Sequence, residues 1–580
     1  MPVRNAYIEE VKRRGGKLRH VFPWENAASF SVHSSCLREI ASLSFVDYVG
    51  PVGVYLKKRP EPALAKKRAE DLYGKSDDHL RMSNIPAAHE YLRAKNMGEP
   101  GEGVLLGFFD CGFRFDHKVY SSVNENGQIL AVRDFVDGDE SVHDPDSVIS
   151  DVYHDYYQND EHGTQTLALV AGNDPGTYMG VAWGARFVLA RTEISPVELR
   201  IEEDNWAAAL VWADSLGVDI VSSSLGYRDG FTDPQEDYTY EDMDGITTVV
   251  SRAAAQAVKR GMIVVNSMGN EGADSSGTLT APADVEGVVS VGAVDWLEDI
   301  AWFSSTGPTF DGRMKPDLVA MGANVPVPDV YSSDRASYIY KNGTSLSAPI
   351  VSGICALVYQ TSKDKSPDQI RRKLFNSCRF AKHQTQIDNR YGRGIPDALI
   401  ACMEESDIYL KLVDSSGAPL PHAVVRLGRR SFSTNESGVC VIDAGASSLP
   451  LVIDIDFRSM AQKSVTVDTL PYAQDIVLDV ISPEKPYFCL YPTVLKKNST
   501  LNCELIPEFS AAGDFSALQA SVRTVDGNIV WTHSQYPARD GITRFSWDVR
   551  NRGRRVVPGL YFFTVRYGGR ITSRKFMVVE

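Results

Sequence analysis

Between about residues 100 and 400, short apolar runs alternate with longer segments of helical periodicity. The runs "GVLLGFFD", "ARFVLAR", "VDIVSSSLG", "GMIVVNSMG" and "GVVSVGAV" are too short for helices and too continuously apolar for a half-exposed sheet. Between them lie amphipathic stretches such as "WAAALVWADSLG" and "VVSRAAAQAVKRG". Apolar strands separated by helices predict a parallel sheet covered on both faces. In such sheets, ligands bind beyond the carboxyl ends of the strands. After Asp407 the period changes to two, in "DIYLKLVDSSGAPLPHAVVRLG", "STNESGVCVIDAG" and "PLVIDIDF", which predicts a small β-sandwich over 406–482. The proline-marked joint "ISPEKPY" introduces a second β-rich unit, 485–580. Near the N-terminus, "SCLREIASLSFVDYVGPVGVY" predicts a helix and then a strand in a small α+β unit over 1–58. A charged connector follows over 59–80, and the α/β region spans 81–405. No internal repeat is present.

Three ends of predicted elements carry polar residues. Asp110 closes the strand "GVLLGFFD", His162 opens the helical run "HGTQTLALVAG", and Ser345 stands before the apolar run of "NGTSLSAPIVSGICALV". In that last stretch Ile350, Val351, Ile354, Leu357 and Val358 recur at helical spacing, and Pro349 is expected in the first turn. Taken alone, Ser345 is either an ordinary helix cap or a nucleophile beside unpaired helix N–H groups. An acid, an imidazole and a hydroxyl at one sheet edge are the parts of a nucleophilic triad. Asn270, in "NSMGNEG" after the strand "GMIVV", adds a side-chain amide that can donate to an oxyanion.

These fragments resemble the subtilisin-like serine peptidases: "FFDCG" at the aspartate, "HGTQTLALVAG" at the histidine, "SMGNEG" at the asparagine and "NGTSLSAPIVSG" at the serine, with "SSSLG" and "FSSTGPTFDGRMKPDLVAMG" as further matches. The resemblance implies a subtilisin-like α/β fold and a serine endopeptidase using Asp110, His162 and Ser345, with Asn270 at the oxyanion. It implies that an extended peptide lies against Ser224, Leu225 and Gly226, and that Ser267, Met268 and Gly269 help line the pocket for the residue before the scissile bond. Two positions depart from the usual pattern. Cys111 replaces a threonine after the aspartate, and Gln165 replaces a second histidine. They keep open a second reading, a catalytically impaired surface binding protein on the same fold.

Residues 1–58 resemble an inhibitory propeptide that begins partway through, so an upstream export signal is expected beyond the first residue. The unit 406–482 resembles carboxypeptidase-regulatory-like sandwiches. The unit 485–580 is similar to the immunoglobulin-like C-terminal domains that act as sorting signals on exported proteins of Bacteroidetes-type bacteria. The implied partners are protein or peptide substrates, the chain's own propeptide and secretion machinery, and the implied location is extracellular or on the cell surface. Taking the sequence's own start literally gives a cytoplasmic peptidase instead.

Composition narrows the remaining classes. At 580 residues the chain needs several cores. A net charge of −15 argues against a nucleic-acid partner. No apolar run is long enough to span a bilayer. Eight cysteines without a CxxC pair argue against a zinc site or a dense disulfide framework. The chemistry needs no cofactor. The acidic tract "RDFVDGDESVHDPDSVISDVYHDYYQND" offers oxygens for a structural calcium ion or is simply a solvated loop, and its spacing is not that of an EF-hand.

Overall fold

The computed structural model describes residues 4–22, 27–33, 36–46 and 49, and everything from 72 onward except 144–159, 195–197, 232–233, 273–275, 446, 458–462, 479–486, 492–493, 496–500, 507–517, 536–542, 549, 552–553, 568–569 and 579–580. The chain forms two compact units, Met1–Ala69 and Glu70–Glu580.

In the first unit, helix α1 (Asn5–Arg13) precedes an antiparallel pair, β1 (Lys17–Phe22) and β2 (Ala27–Ser31), and a short helix α2 (Leu37–Ala41). Ile8 and Val11, three residues apart on α1, are buried. The helix expected in "SCLREIA" is α2. The strand expected after it, and the boundary at 58, lie outside the described residues.

The second unit begins with α3 (Asp77–Met82) and α4 (Ile85–Ala94), then β3 (Leu105–Asp110), α5 (Ser121–Glu125), β4 (Ile129–Asp134) and α6 (Glu161–Ala171). A small hairpin, β5 (Asn173–Asp174) and β6 (Tyr178–Met179), leads to β7 (Arg186–Arg191), α7 (Arg200–Ser215), β8 (Ile220–Ser223), α8 (Val249–Arg260) and β9 (Ile263–Ser267). β10 (Val289–Val294), β11 (Leu318–Met321), the antiparallel pair β12 (Val325–Pro328) and β13 (Tyr338–Lys341), and α9 (Thr344–Thr361), α10 (Pro367–Asn376) and α11 (Ala398–Cys402) complete the region.

Seven of these strands form one sheet in the order β11-β10-β9-β8-β3-β7-β4, with every pairing parallel. Every residue of β8, β9 and β10 is buried, as a sheet covered on both faces requires. One apolar core holds α4, α6 and α9 against one face, and a second holds α7 and α8 against the other. Local signals fix the helices: the Thr248 hydroxyl accepts from Ser251 N–H to open α8, and Gly261, at φ 101°, closes it. Because the strands are parallel, Asp110, Glu193, Ser224 and Ser267 emerge at one edge of the sheet.

Beyond residue 406 the chain is strand-rich. A three-stranded sheet (Asp407–Asp414, Val439–Asp443, Tyr472–Leu478) shares a core with a four-stranded one containing Val425, Ile453 and Val467. A further three-stranded and five-stranded pair shares a core around Trp547, Phe563 and Phe576. The first of these sheets is packed onto α4. Tyr91 and Lys95 both donate to the buried carboxylate of Asp407, at 2.5 and 2.9 Å, and Tyr409 and Val439 belong to the same core as α4.

Candidate active site

Asp110 ends the central strand β3 and is 1% exposed. A carboxylate there must be surrounded by donors, and three are present. Its Oδ1 accepts from the Cys111 backbone N–H at 2.9 Å and lies 2.7 Å from His162 Nδ1, while its Oδ2 accepts from the Thr166 hydroxyl at 3.1 Å. A carboxylate only accepts, so Nδ1 carries the imidazole proton and Nε2 is left as the basic nitrogen. Burial lowers the His162 pKa, but the charge of Asp110 and its hydrogen bond outweigh that, and the pKa lies above the usual 6.5. His162 is the second residue of α6. That helix can approach β3 because Gly163 has no side chain: a Cβ there would lie 2.1 Å from the Gly112 carbonyl oxygen and 3.0 Å from Asp110 Cβ.

Ser345 is likewise the second residue of its helix, α9. The helix begins earlier than the apolar pattern predicts, at Thr344, so Pro349 lies inside it rather than in the first turn. Proline cannot donate to the carbonyl four residues back, which is that of Ser345. The Ser224 hydroxyl fills the gap, donating to Ser345 O at 2.8 Å. Gly343 keeps the approach to the serine open, since a Cβ there would stand 2.6 Å from Ser345 Oγ. Asn270 is tied to the same helix end: its Oδ1 accepts from Thr344 N–H at 2.9 Å and from the Thr344 hydroxyl at 3.0 Å. A backbone N–H must meet the oxygen end of the amide, so this contact fixes which way Nδ2 faces.

Asp110, His162 and Ser345 line one cavity of about 450 Å³, together with Cys111, Glu161, Gln165, Leu225 and Lys341. The sequence comparisons bear on the same stretch. The model of the subtilase family, Peptidase_S8, matches residues 83–394, more than half of the 580-residue chain. The chain belongs to the subtilase family. The matched region is a subtilisin-type serine peptidase domain. Serine protease AprX of Bacillus subtilis (strain 168) is 29% identical over 323 residues, 51% of this chain and 66% of AprX, so the match spans just under two thirds of that relative. Subtilisin BL of Lederbergia lenta is 29% identical over 314 residues, 54% of this chain and 93% of the relative. A solved protease structure from Pseudoalteromonas arctica PAMC 21717 aligns with 58% of this chain and 99% of its own at 24% identity, with a TM-score of 0.43.

In this subtilase the two departures have visible substitutes. Cys111 is buried and contributes its backbone N–H to Asp110, and burial pushes its thiol pKa well up. Thr166, four residues after His162 and on the same helix face, supplies a hydroxyl donor. The i,i+4 spacing is the signal that points to it. Gln165 donates to Glu161 at 2.9 Å and to Pro328 O at 3.3 Å, bracing the cavity wall.

The residues of the expected substrate edge are placed as follows. Leu225 lines the cavity and Gly226 is exposed beside it. Ser224 is buried and faces Ser345 O. Ser267, Met268 and Gly269 are not among the cavity's lining residues. Met268, directly after β9, has its side chain fully buried in the core under α7 and α8. Sequence reasoning also missed a cluster in the same wall: Glu193, Glu198 and Glu202.

The acidic tract fits calcium poorly where it is described. Asp134 Oδ1 accepts from Val136 N–H and Asp137 N–H at 2.7 and 3.0 Å, and its Oδ2 pairs with Arg191 at 2.7 Å. Asp137 also pairs with Arg191, and Asp160 with Arg114 and His143. These carboxylates are held by cations of the chain itself. Residues 144–159 lie outside the described set.

Proposed function

We propose that the protein is an exported serine endopeptidase that cleaves protein substrates through an acyl-enzyme on Ser345. The observation that carries this reading is the 2.7 Å contact of His162 Nδ1 with Asp110 in the cavity that Ser345 also lines. In this mechanism His162 Nε2 takes the Ser345 proton as Oγ attacks the scissile carbonyl, then returns it to the leaving amine. Asp110 holds the tautomer and stabilises the imidazolium. The carbonyl oxygen becomes an oxyanion that accepts hydrogen bonds from Asn270 Nδ2 and the Ser345 backbone N–H, one of the first-turn donors without a partner inside the helix. Water repeats the sequence on the ester, with His162 again as base. The peptide lies extended along Ser224–Gly226, where main-chain hydrogen bonds supply affinity.

On the same reading residues 1–58 are an inhibitory propeptide, removed by the enzyme itself, and the last strand-rich unit directs export to the cell surface through secretion machinery. The family resemblance supports both. Among the described residues no helix is long and apolar enough to cross a membrane. Wild-type protein and Ser345→Ala are to be incubated with a denatured protein substrate and followed by intact mass. The expected result is substrate cleavage and loss of N-terminal mass in the wild type alone. Equal cleavage by both would refute the role of Ser345.

A further inference from the structure

Glu193, Glu198 and Glu202 each place a carboxylate oxygen within 4.8 Å of the others, in the wall of the cavity that holds Asp110, His162 and Ser345. Glu193 follows β7 by two residues, and Glu202 is the third residue of α7. The fold therefore brings them to the same sheet edge as the triad. Their surroundings differ from those of every other buried acid described above, because no Lys, Arg or His among the described residues forms an ion pair with any of the three. The nearby cations are engaged elsewhere: Arg200 pairs with Glu203 at 2.8 Å, and Lys341 with Glu161 at 3.1 Å.

The hydrogen bonds show which oxygens are left over. Glu202 is filled, accepting from Ile194 N–H at 2.6 Å and Leu199 N–H at 2.5 Å. Glu193 accepts from the Thr192 and Tyr227 hydroxyls, at 2.7 and 2.6 Å, both on Oε1. Its Oε2 receives no hydrogen bond among the described residues, although the residue is 8% exposed and lines the cavity. Glu198 Oε1 is buried and also without a partner. Among the described residues these two carboxylate oxygens therefore have neither a donor nor a counter-charge, an arrangement that costs stability unless something positive enters. Burial pushes Glu198 up to about 8, Glu202 up to about 7 and Glu193 well above its usual value, which is the cost of placing charge there beside other carboxylates.

Two cation classes can be separated by counting oxygens. Calcium takes six to eight oxygen ligands, and Glu202 together with Glu193 Oε1 is already committed to donors. A guanidinium or ammonium group needs only two or three acceptors, and a guanidinium matches paired carboxylate oxygens well. Leu225, on the edge proposed to align the peptide, and Ile194, directly after Glu193, also line the cavity. We propose that this acidic corner receives the side chain of an arginine or lysine on the acyl side of the scissile bond, with Glu193 and Glu198 as the specificity-determining residues. The proposal rests on the peptidase reading above.

The test uses the full chain and quenched peptides that carry arginine or its neutral isostere citrulline at each of the four positions before the cleaved bond. The readout is the ratio of kcat/KM for the two peptides, which cancels any change in the fraction of active enzyme. At one position the wild type is expected to favour arginine by about tenfold or more. Glu198→Gln is expected to bring that ratio to within about threefold of unity, and Glu193→Gln to lower it less. Equal rates for arginine and citrulline at all four positions would overturn the proposal, as would a preference that survives the Glu193→Gln/Glu198→Gln double variant. A calcium-binding isotherm that disappears in Glu198→Gln, without an arginine preference, would assign the corner to a metal and overturn it as well. If no peptide is cleaved at all, the peptidase reading fails separately. The corner is then judged by fluorescence anisotropy of the same peptides on Ser345→Ala: tighter binding of the arginine peptide supports the proposal, and equal binding overturns it.

Discussion

The two ends of the cavity are both acidic, yet they are built on opposite principles. At one end Asp110 receives a backbone N–H, a hydroxyl and an imidazole N–H, and its charge raises the pKa of His162. At the other, Glu193, Glu198 and Glu202 stand together with no ion-pair partner among the described residues, and burial raises their own pKa values. A carboxylate whose partners are all in place stabilises charge that develops next to it, on the imidazole during reaction. A carboxylate cluster lacking a partner discriminates among ligands that bring one.

The largest expected effect breaks the first arrangement. Asp110→Asn preserves the shape but removes the charge and permits the wrong imidazole tautomer, so kcat should fall by about 10⁴-fold, as in serine triads generally. In the wild type, activity should be lost as the pH falls through a midpoint above 6.5, because His162 must be neutral to act as base and Asp110 favours its protonated form. In Asp110→Asn the residual activity should show that midpoint displaced downward, since the charge and hydrogen bond of Asp110 are the main influences raising it against burial. Next in size, Asn270→Ala should lower kcat by roughly 10²- to 10³-fold with little change in KM, because its Nδ2 meets the oxyanion only in the transition state.

Smaller effects probe stability. Glu198 titrates at about 8 in the folded protein and near 4.5 when unfolded. Folding is therefore unpenalised below 4.5 and progressively weakened as the pH rises towards 8, where the carboxylate ionises among Glu193, Glu202, Glu203 and Tyr227. Glu198→Gln should leave Tm nearly unchanged at pH 4 and raise it by a few degrees at pH 9, measured by calorimetry. Ser224→Ala removes the donor that replaces the missing Pro349 N–H and should cost about 1–2 kcal/mol in a denaturant titration.

Much of the first end of the cavity was legible in the sequence, and little of the second. Asp110, His162 and Ser345 each sit where a continuous apolar run or a period-3.6 pattern begins or ends, and a parallel sheet brings such ends to one edge. Thr166 could have been read from its i,i+4 relation to His162, but only once the helix phase was fixed. Pro349 misled because proline usually marks a first turn; here a hydroxyl from another strand end replaces its missing donor. The resemblance implies that Met268 helps line a pocket, and the sequence gives no sign that its side chain packs into the core under α7 and α8. Glu193, Glu198 and Glu202 carry no motif. Only the folded structure brings their carboxylates within 4.8 Å of one another, with no ion-pair partner among the described residues.

The central claim, that Ser345 is a nucleophile activated by His162 and Asp110, is tested most directly by treating the full-length protein, before and after limited proteolysis of residues 1–69, with a fluorophosphonate and mapping the adduct by peptide mass. The account predicts one adduct, on Ser345, lost in His162→Ala. An intact, folded and trimmed protein that forms no adduct, or forms one on another serine, would contradict it.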